Sequence, residues 1–119
     1  MRHAIRVAGL KGYRAHPSGI PGRPDFVFQE HKLAVFVHGC FWHRCPRCNL
    51  PLPRINRDFW ARKFDRNVVR DYRKKALLGR LGWTVLVLWE CEVKRSPSNA
   101  AARIKRSLEQ PKKSPPLPR

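Results

Sequence analysis

Leu33-Ala34-Val35-Phe36-Val37-His38-Gly39-Cys40-Phe41-Trp42-His43-Arg44-Cys45-Pro46-Arg47-Cys48 runs from an unbroken apolar segment straight into histidines, aromatics and cysteines. Leu33 to Val37 shows no polar alternation and is bounded by turn signals. That is the pattern of a strand buried on both faces. The strongest strand signal in the chain is Thr84 to Trp89, rich in Val, Leu and Trp and free of charge. Between the two runs lies a helical pattern from about Arg66 to Leu81, closed by Gly82. Strand, helix, strand at this spacing makes a crossover, which sets the two strands parallel. The expected fold is therefore α/β: a mixed central sheet flanked by helices, with a metal-binding loop leaving the first of these strands.

Working outward, Asp25-Phe26-Val27-Phe28 reads as a strand that pairs with 33–37 as a hairpin across the polar turn Gln29 to Lys32. Tyr13 to His16 reads as a strand or an extended arm. Pro17 to Pro24 holds three prolines and two glycines and is a loop. Residues 1–10 form a short basic helix pattern. Asn56 is placed to cap a first helix through Asp58, Trp60 and Phe64. The second helix, 66–81, carries an apolar stripe of Val69, Tyr72, Ala76 and Leu77 and a basic face of Arg66, Arg70, Arg73, Lys74 and Arg80. Ala100 to Leu108 makes a terminal helix. One domain is expected over 1–110, followed at 111–119 by a disordered tail with four prolines and three basic residues.

Lys and Arg number 26 against 8 acidic residues in 119, a net charge of +18. Such an excess argues against a small-metabolite enzyme and for a polyanionic partner, nucleic acid above all. No apolar leader is visible at the N-terminus and no run approaches the roughly 20 residues that span a bilayer. The expected compartment is the cytoplasm, where thiols stay reduced. Cys40, Cys45 and Cys48, at C-x4-C-x2-C spacing, together with distant Cys91 then suit a structural zinc rather than disulfides or a redox pair. Four thiolates complete a tetrahedral shell, so His38 and His43 are not needed as ligands and are free for proton transfer. Asp71 is one candidate to fix the His43 tautomer, although a helix-surface ion pair accounts for it more simply.

Asp25, at the start of its strand, has the chemistry to hold a hard cation such as Mg2+, or is merely a turn residue after Pro24. The hairpin would bring Val37 and His38 to the same sheet end, where the Val37 carbonyl offers a second oxygen. Phe41, Trp42 and Trp60 lie among arginines, as wedges that enter a base stack do; the plainer reading is packing, which is preferred for Phe59 and Phe64. Trp83 and Trp89 read as core residues at the strand ends.

Taken together, Gly22-Arg23-Pro24-Asp25-Phe26-Val27-Phe28, Val35-Phe36-Val37-His38-Gly39-Cys40-Phe41-Trp42-His43, Asp58-Phe59-Trp60 and Gly82-Trp83-Thr84-Val85-Leu86-Val87-Leu88-Trp89-Glu90-Cys91 resemble the very-short-patch repair (Vsr) endonucleases over roughly residues 5–110. The resemblance implies a restriction-endonuclease-like fold. It implies Mg2+-dependent nicking of duplex DNA 5′ of the thymine in T:G mismatches left by 5-methylcytosine deamination. By position it makes Asp25 and the Val37 main chain the Mg2+ site, and His38, His43 and Asp71 catalytic together with Asp25. It makes Phe41, Trp42 and Trp60 the intercalating group, and Cys40, Cys45, Cys48 and Cys91 the structural zinc site. It implies a bacterial, nucleoid-associated monomer, and leaves open a mismatch-repair ATPase as a further partner. Two departures stand out. Cys45 occupies a place where the family has histidine, which reads as an all-cysteine variant of the site. The N-terminal helical segment of the family, with an acidic residue near the active site, is read as lacking. The alternatives are a zinc-stapled DNA-binding domain without catalysis, and a nuclease of the same fold with another target.

Overall fold

The structure is a computed structural model and describes residues 9–109. The tail and nearly all of the basic helix pattern at 1–10 lie outside the described residues. Four strands form one sheet in the order β1 (Tyr13–Ala15), β2 (Phe26–Phe28), β3 (Leu33–His38), β4 (Thr84–Trp89). β1 pairs antiparallel with β2, and β2 with β3. β3 and β4 run parallel, with Leu33 opposite Thr84 and His38 opposite Trp89. The helices are α1 (Cys40–His43), α2 (Arg57–Arg80), α3 (Glu90–Arg95) and α4 (Pro97–Glu109).

Unbroken apolar strands require cover on both faces, and both are covered. On one face Phe26, Phe28, Leu33, Val35 and Leu88 pack against Ala100 and Ile104 of α4. On the other, Val27, Ala34 and Phe36 pack against Leu78 of α2. Leu78 is fully buried at the centre of this second layer. Leu78→Ala is expected to cost about 2–5 kcal/mol, the usual range for a truncation whose cavity cannot collapse; urea unfolding measures it.

The helical region differs from expectation in three ways. The two expected helices are one continuous helix, because nothing between Arg57 and Gly79 breaks it: no proline or glycine interrupts the run. Asn56 sits at the N-cap position but in the left-handed region, at φ 58°, and its side chain makes no capping hydrogen bond. The expected apolar stripe faces water: Val69 and Leu77 are about half exposed and Tyr72 is 74% exposed. The inward face instead runs through Phe64, Asn67, Asp71, Lys74 and Leu78, at three- and four-residue steps. Two short helices also arise where none was expected: α1 within the cysteine loop, ended by Arg44 at φ 57°, and α3 directly after β4.

Gly22 ties the loop before β2 to α2. Its φ is 82°, and a Cβ there would lie 3.3 Å from the Lys74 Cβ. A side chain would be strained in that backbone conformation and crowded by the lysine stem.

Candidate functional site

The chemistry-bearing residues gather where β3 ends. The Asp25 amide donates to the Val35 carbonyl at 2.9 Å, and the Val37 amide donates to Asp25 Oδ2 at 2.6 Å. The hairpin thus sets the carboxylate against the Val37 main chain. One residue later, alternation turns His38 to the α2 face, beside Phe36 and the edge of Trp89, with ring centroids at 5.7 and 5.4 Å.

His43, the last residue of α1, stacks on His38 with centroids 4.0 Å apart and planes 10° apart. Asp71, from the inward face of α2, places Oδ2 2.5 Å from His43 Nδ1. Such a bond fixes the tautomer, with the proton on Nδ1 and the lone pair on Nε2. Donor atoms of His38, His43 and Asp71 lie within 4.8 Å of one another. Asp25 is not in that trio, although its charge acts on His38. All three line an open cleft of about 420 Å³ floored by Val85, Val87 and Trp89 and rimmed by Arg44, Lys74 and Lys75. The reading of Trp89 as core missed this exposure. Its parallel pairing with His38 was the available signal, since it puts the two side chains on one face. Of the cleft lysines, the expected basic face includes Lys74 but not Lys75.

His38 is held down to about 4 from the ordinary 6.5, chiefly by burial and next by His43, against the pull of Asp71 and Asp25. The folded chain therefore holds this proton more weakly than the unfolded chain. Stability from this group is intact above about pH 6.5 and falls as pH drops towards 4, because the unfolded chain takes up the proton first. The ring is only part-buried, so solvent screening limits the loss to about 1–2 kcal/mol. His38→Gln is expected to flatten that slope. Urea midpoints at about pH 7 and about pH 4.5 test it.

The aromatics form a chain beside the cleft. Phe41 meets Trp42, Trp60 and Phe64 with centroids at 5.2, 5.9 and 5.0 Å, and Trp42 meets Trp60 at 5.9 Å. Phe64 is buried, as the packing reading expects, and carries the Arg44 guanidinium 4.3 Å from its ring. Phe59 is 48% exposed and does not belong to the core, against expectation: it follows Asp58 on the outer face of the first turn. Trp42 is 47% exposed, with the Lys63 ammonium 5.7 Å from its ring.

Cys40, Cys45, Cys48 and Cys91 bring their sulfurs within 4.8 Å of one another. Cys40 opens α1 and Cys91 lies in the first turn of α3, where its amide donates to Cys40 Sγ at 3.3 Å. Hydrogen bonding to the Cys40 and Cys91 sulfurs pushes Cys48 up to about 12. Four thiolates this close repel one another, and a divalent cation is what makes them compatible; the donor set fits zinc. Glu92 braces the cluster by accepting from Arg47 at 3.1 Å and from Arg103 of α4.

A family model described as DNA mismatch endonuclease Vsr matches residues 1–49. A type II nicking enzyme of Xanthomonas oryzae is 45% identical over 95 residues, which cover 78% of this chain and 68% of that protein. The chain belongs to the Vsr family. The Vsr DNA mismatch endonuclease of Escherichia coli is 42% identical over 82 residues, 69% of this chain and 53% of its own length. A type II nicking enzyme of Neisseria meningitidis is 40% identical over 84 residues, 69% of this chain and 59% of its own length. The matches thus span between half and about two thirds of these three Vsr-family relatives. No helix among the described residues is long and apolar enough to cross a membrane.

Proposed function

We propose that this chain nicks duplex DNA, with T:G mismatches as its substrate and cleavage 5′ of the mismatched thymine. The observation that carries the reading is the His38–His43–Asp71 array beside Asp25, in a Vsr-family chain of net charge +18. Asp25 and the Val37 main chain would hold Mg2+, which supplies positive charge to the phosphate in the transition state. His43, oriented by Asp71, accepts the proton of the attacking water, as a carboxylate-held imidazole does. His38 stays neutral at pH 7 and positions His43 by stacking. Arg44, Lys74 and Lys75 on the cleft rim attract the DNA backbone, an attraction that weakens steeply with salt.

Trp42, backed by Phe41 and Trp60, serves as the wedge. Unstacking a base step costs a few kcal/mol, and a mismatch lowers that cost. Mismatch preference therefore resides in the aromatics rather than in the proton-transfer groups.

The test is single-turnover nicking of duplexes that differ only in one T:G pair, with Mg2+. Wild-type protein is expected to nick only the mismatched duplex, on the strand that carries the thymine. Trp42→Ala is expected to lose about 10-fold or more on the mismatch, the equivalent of roughly 1–3 kcal/mol of base–aromatic stacking. Equal nicking of matched and mismatched duplex would point to another DNA target. Mismatch binding with no nick would leave a recognition domain.

A further inference from the structure

The cleft gathers a second group of three side chains with metal-ligating atoms. His38 ends β3, His43 ends α1 and Asp71 lies on α2, and one donor atom of each falls within 4.8 Å of the others. We propose that these three residues bind a borderline transition ion of the Zn2+ class, and that the bound ion shuts off nicking. The inhibitory half rests on the reading of His43 as the proton acceptor.

Two imidazoles and one carboxylate, brought together by three separate elements, form a donor set for zinc-like ions. Mg2+ prefers oxygen donors and gives up its waters reluctantly, so it belongs with Asp25 and the Val37 main chain. The two sites sort ions by softness. The imidazole rings stack nearly parallel with their centroids 4.0 Å apart, so taking up one ion requires them to turn out of the stack until a nitrogen lone pair of each converges on it. The cleft is open enough to admit a hydrated ion. Arg44, Lys74 and Lys75 on the rim oppose a cation, which sets this site well below the thiolate quartet in affinity. The quartet fills first, and the cleft responds to zinc beyond that.

Coordination takes the lone pair that His43 needs. Where the ion enters between His43 and Asp71 and takes Nδ1, the neutral ring carries its proton on Nε2 instead, so the nitrogen that would face water is already protonated. Either way the ring accepts no proton from water, and the reaction stops.

The experiment uses the full chain carrying one Zn2+ in the cysteine site. Calorimetric titration with Zn2+ is expected to show one further equivalent. His38→Ala, His43→Ala and Asp71→Asn are each expected to lose that equivalent while keeping the first ion and a single cooperative melting transition, which shows that they fold. With Co2+ in place of Zn2+, the added equivalent should give weak nitrogen/oxygen-type d–d bands without thiolate charge transfer. Filling the site should reduce Mg2+-supported nicking at least tenfold, and a weak chelator that spares the thiolates should restore it. A chain that takes no further ion overturns the site, and so does a further ion that survives all three substitutions. A filled site with undiminished nicking overturns the inhibition. A chain that never nicks yet takes the ion through these residues upholds the site and overturns the proposed function instead.

Discussion

Asp25→Asn is expected to lower nicking by about 10³-fold or more while leaving the thermal stability of the chain nearly unchanged. The magnitude follows from the proposed role of Asp25 as the charged anchor of a cation that stabilises the transition state. The choice of asparagine separates two roles of this side chain. One oxygen accepts the Val37 amide at 2.6 Å, in a partly buried place that joins β2 to β3. The asparagine carbonyl keeps that bond and gives up only the charge. Asp25→Ala gives up both, and strands a partly buried amide at a cost of about 1 kcal/mol or more. Melting should therefore order the variants as wild type, then Asn, then Ala, whereas nicking should group Asn with Ala. Single-turnover rates across a Mg2+ titration, read beside melting curves, resolve the two orders. An asparagine variant that nicks at the wild-type rate removes Asp25 from the metal site.

That separation reflects what the sequence displays and what it hides. β3 and β4 were legible because a doubly covered parallel strand must be apolar throughout, and only a helix of the length of α2 can link them. The cysteine quartet was legible because C-x4-C-x2-C in a loop has few other uses. The orientation of α2 was not. Its inward face carries Asn67, Asp71 and Lys74 between the buried Phe64 and Leu78, and its outward face carries Val69, Tyr72 and Leu77. Polar groups turned towards a cleft invert the pattern on which amphipathic reading depends, and this is where local rules give way to a site. The same inversion obscured the His43–Asp71 contact. Asp71 could be named as a candidate partner, but the apolar stripe placed it on the wrong side of the helix. The exposure of Phe59 and the part of Trp89 in the cleft were hidden for a related reason: aromatic type does not report which side of an element faces solvent.

Loss of the thiolate cluster is expected to be as severe as loss of Asp25, but by a different route. On the reading that the quartet holds zinc, Cys91→Ser or treatment with a strong chelator should destabilise the chain by about 5 kcal/mol or more. Structural zinc contributes roughly 10–16 kcal/mol of apparent binding energy in small peptides, against a total domain stability of about 5–15 kcal/mol. What remains cannot replace it. The Arg47–Glu92 pair is exposed on the arginine side and contributes about 0–1 kcal/mol, and the Cys91 amide to Cys40 Sγ contact is a single weak bond. The two cores on either side of the sheet do not include the loop, so unfolding should begin there rather than throughout. Hydrogen exchange should show α1 and its loop opening while the amides of β2 and β3 stay protected. His43 and Trp42 both ride on α1, so proton transfer and mismatch preference should disappear together at a chelator dose that leaves the sheet folded. Melting temperature should fall by about 20 °C or more, since each 1 kcal/mol moves a domain of this size by about 4–8 °C. If chelation leaves both the melting curve and nicking unchanged, the four thiols do not hold a metal, and α1 is positioned by the Phe41–Phe64 and Asn67–Trp42 contacts alone.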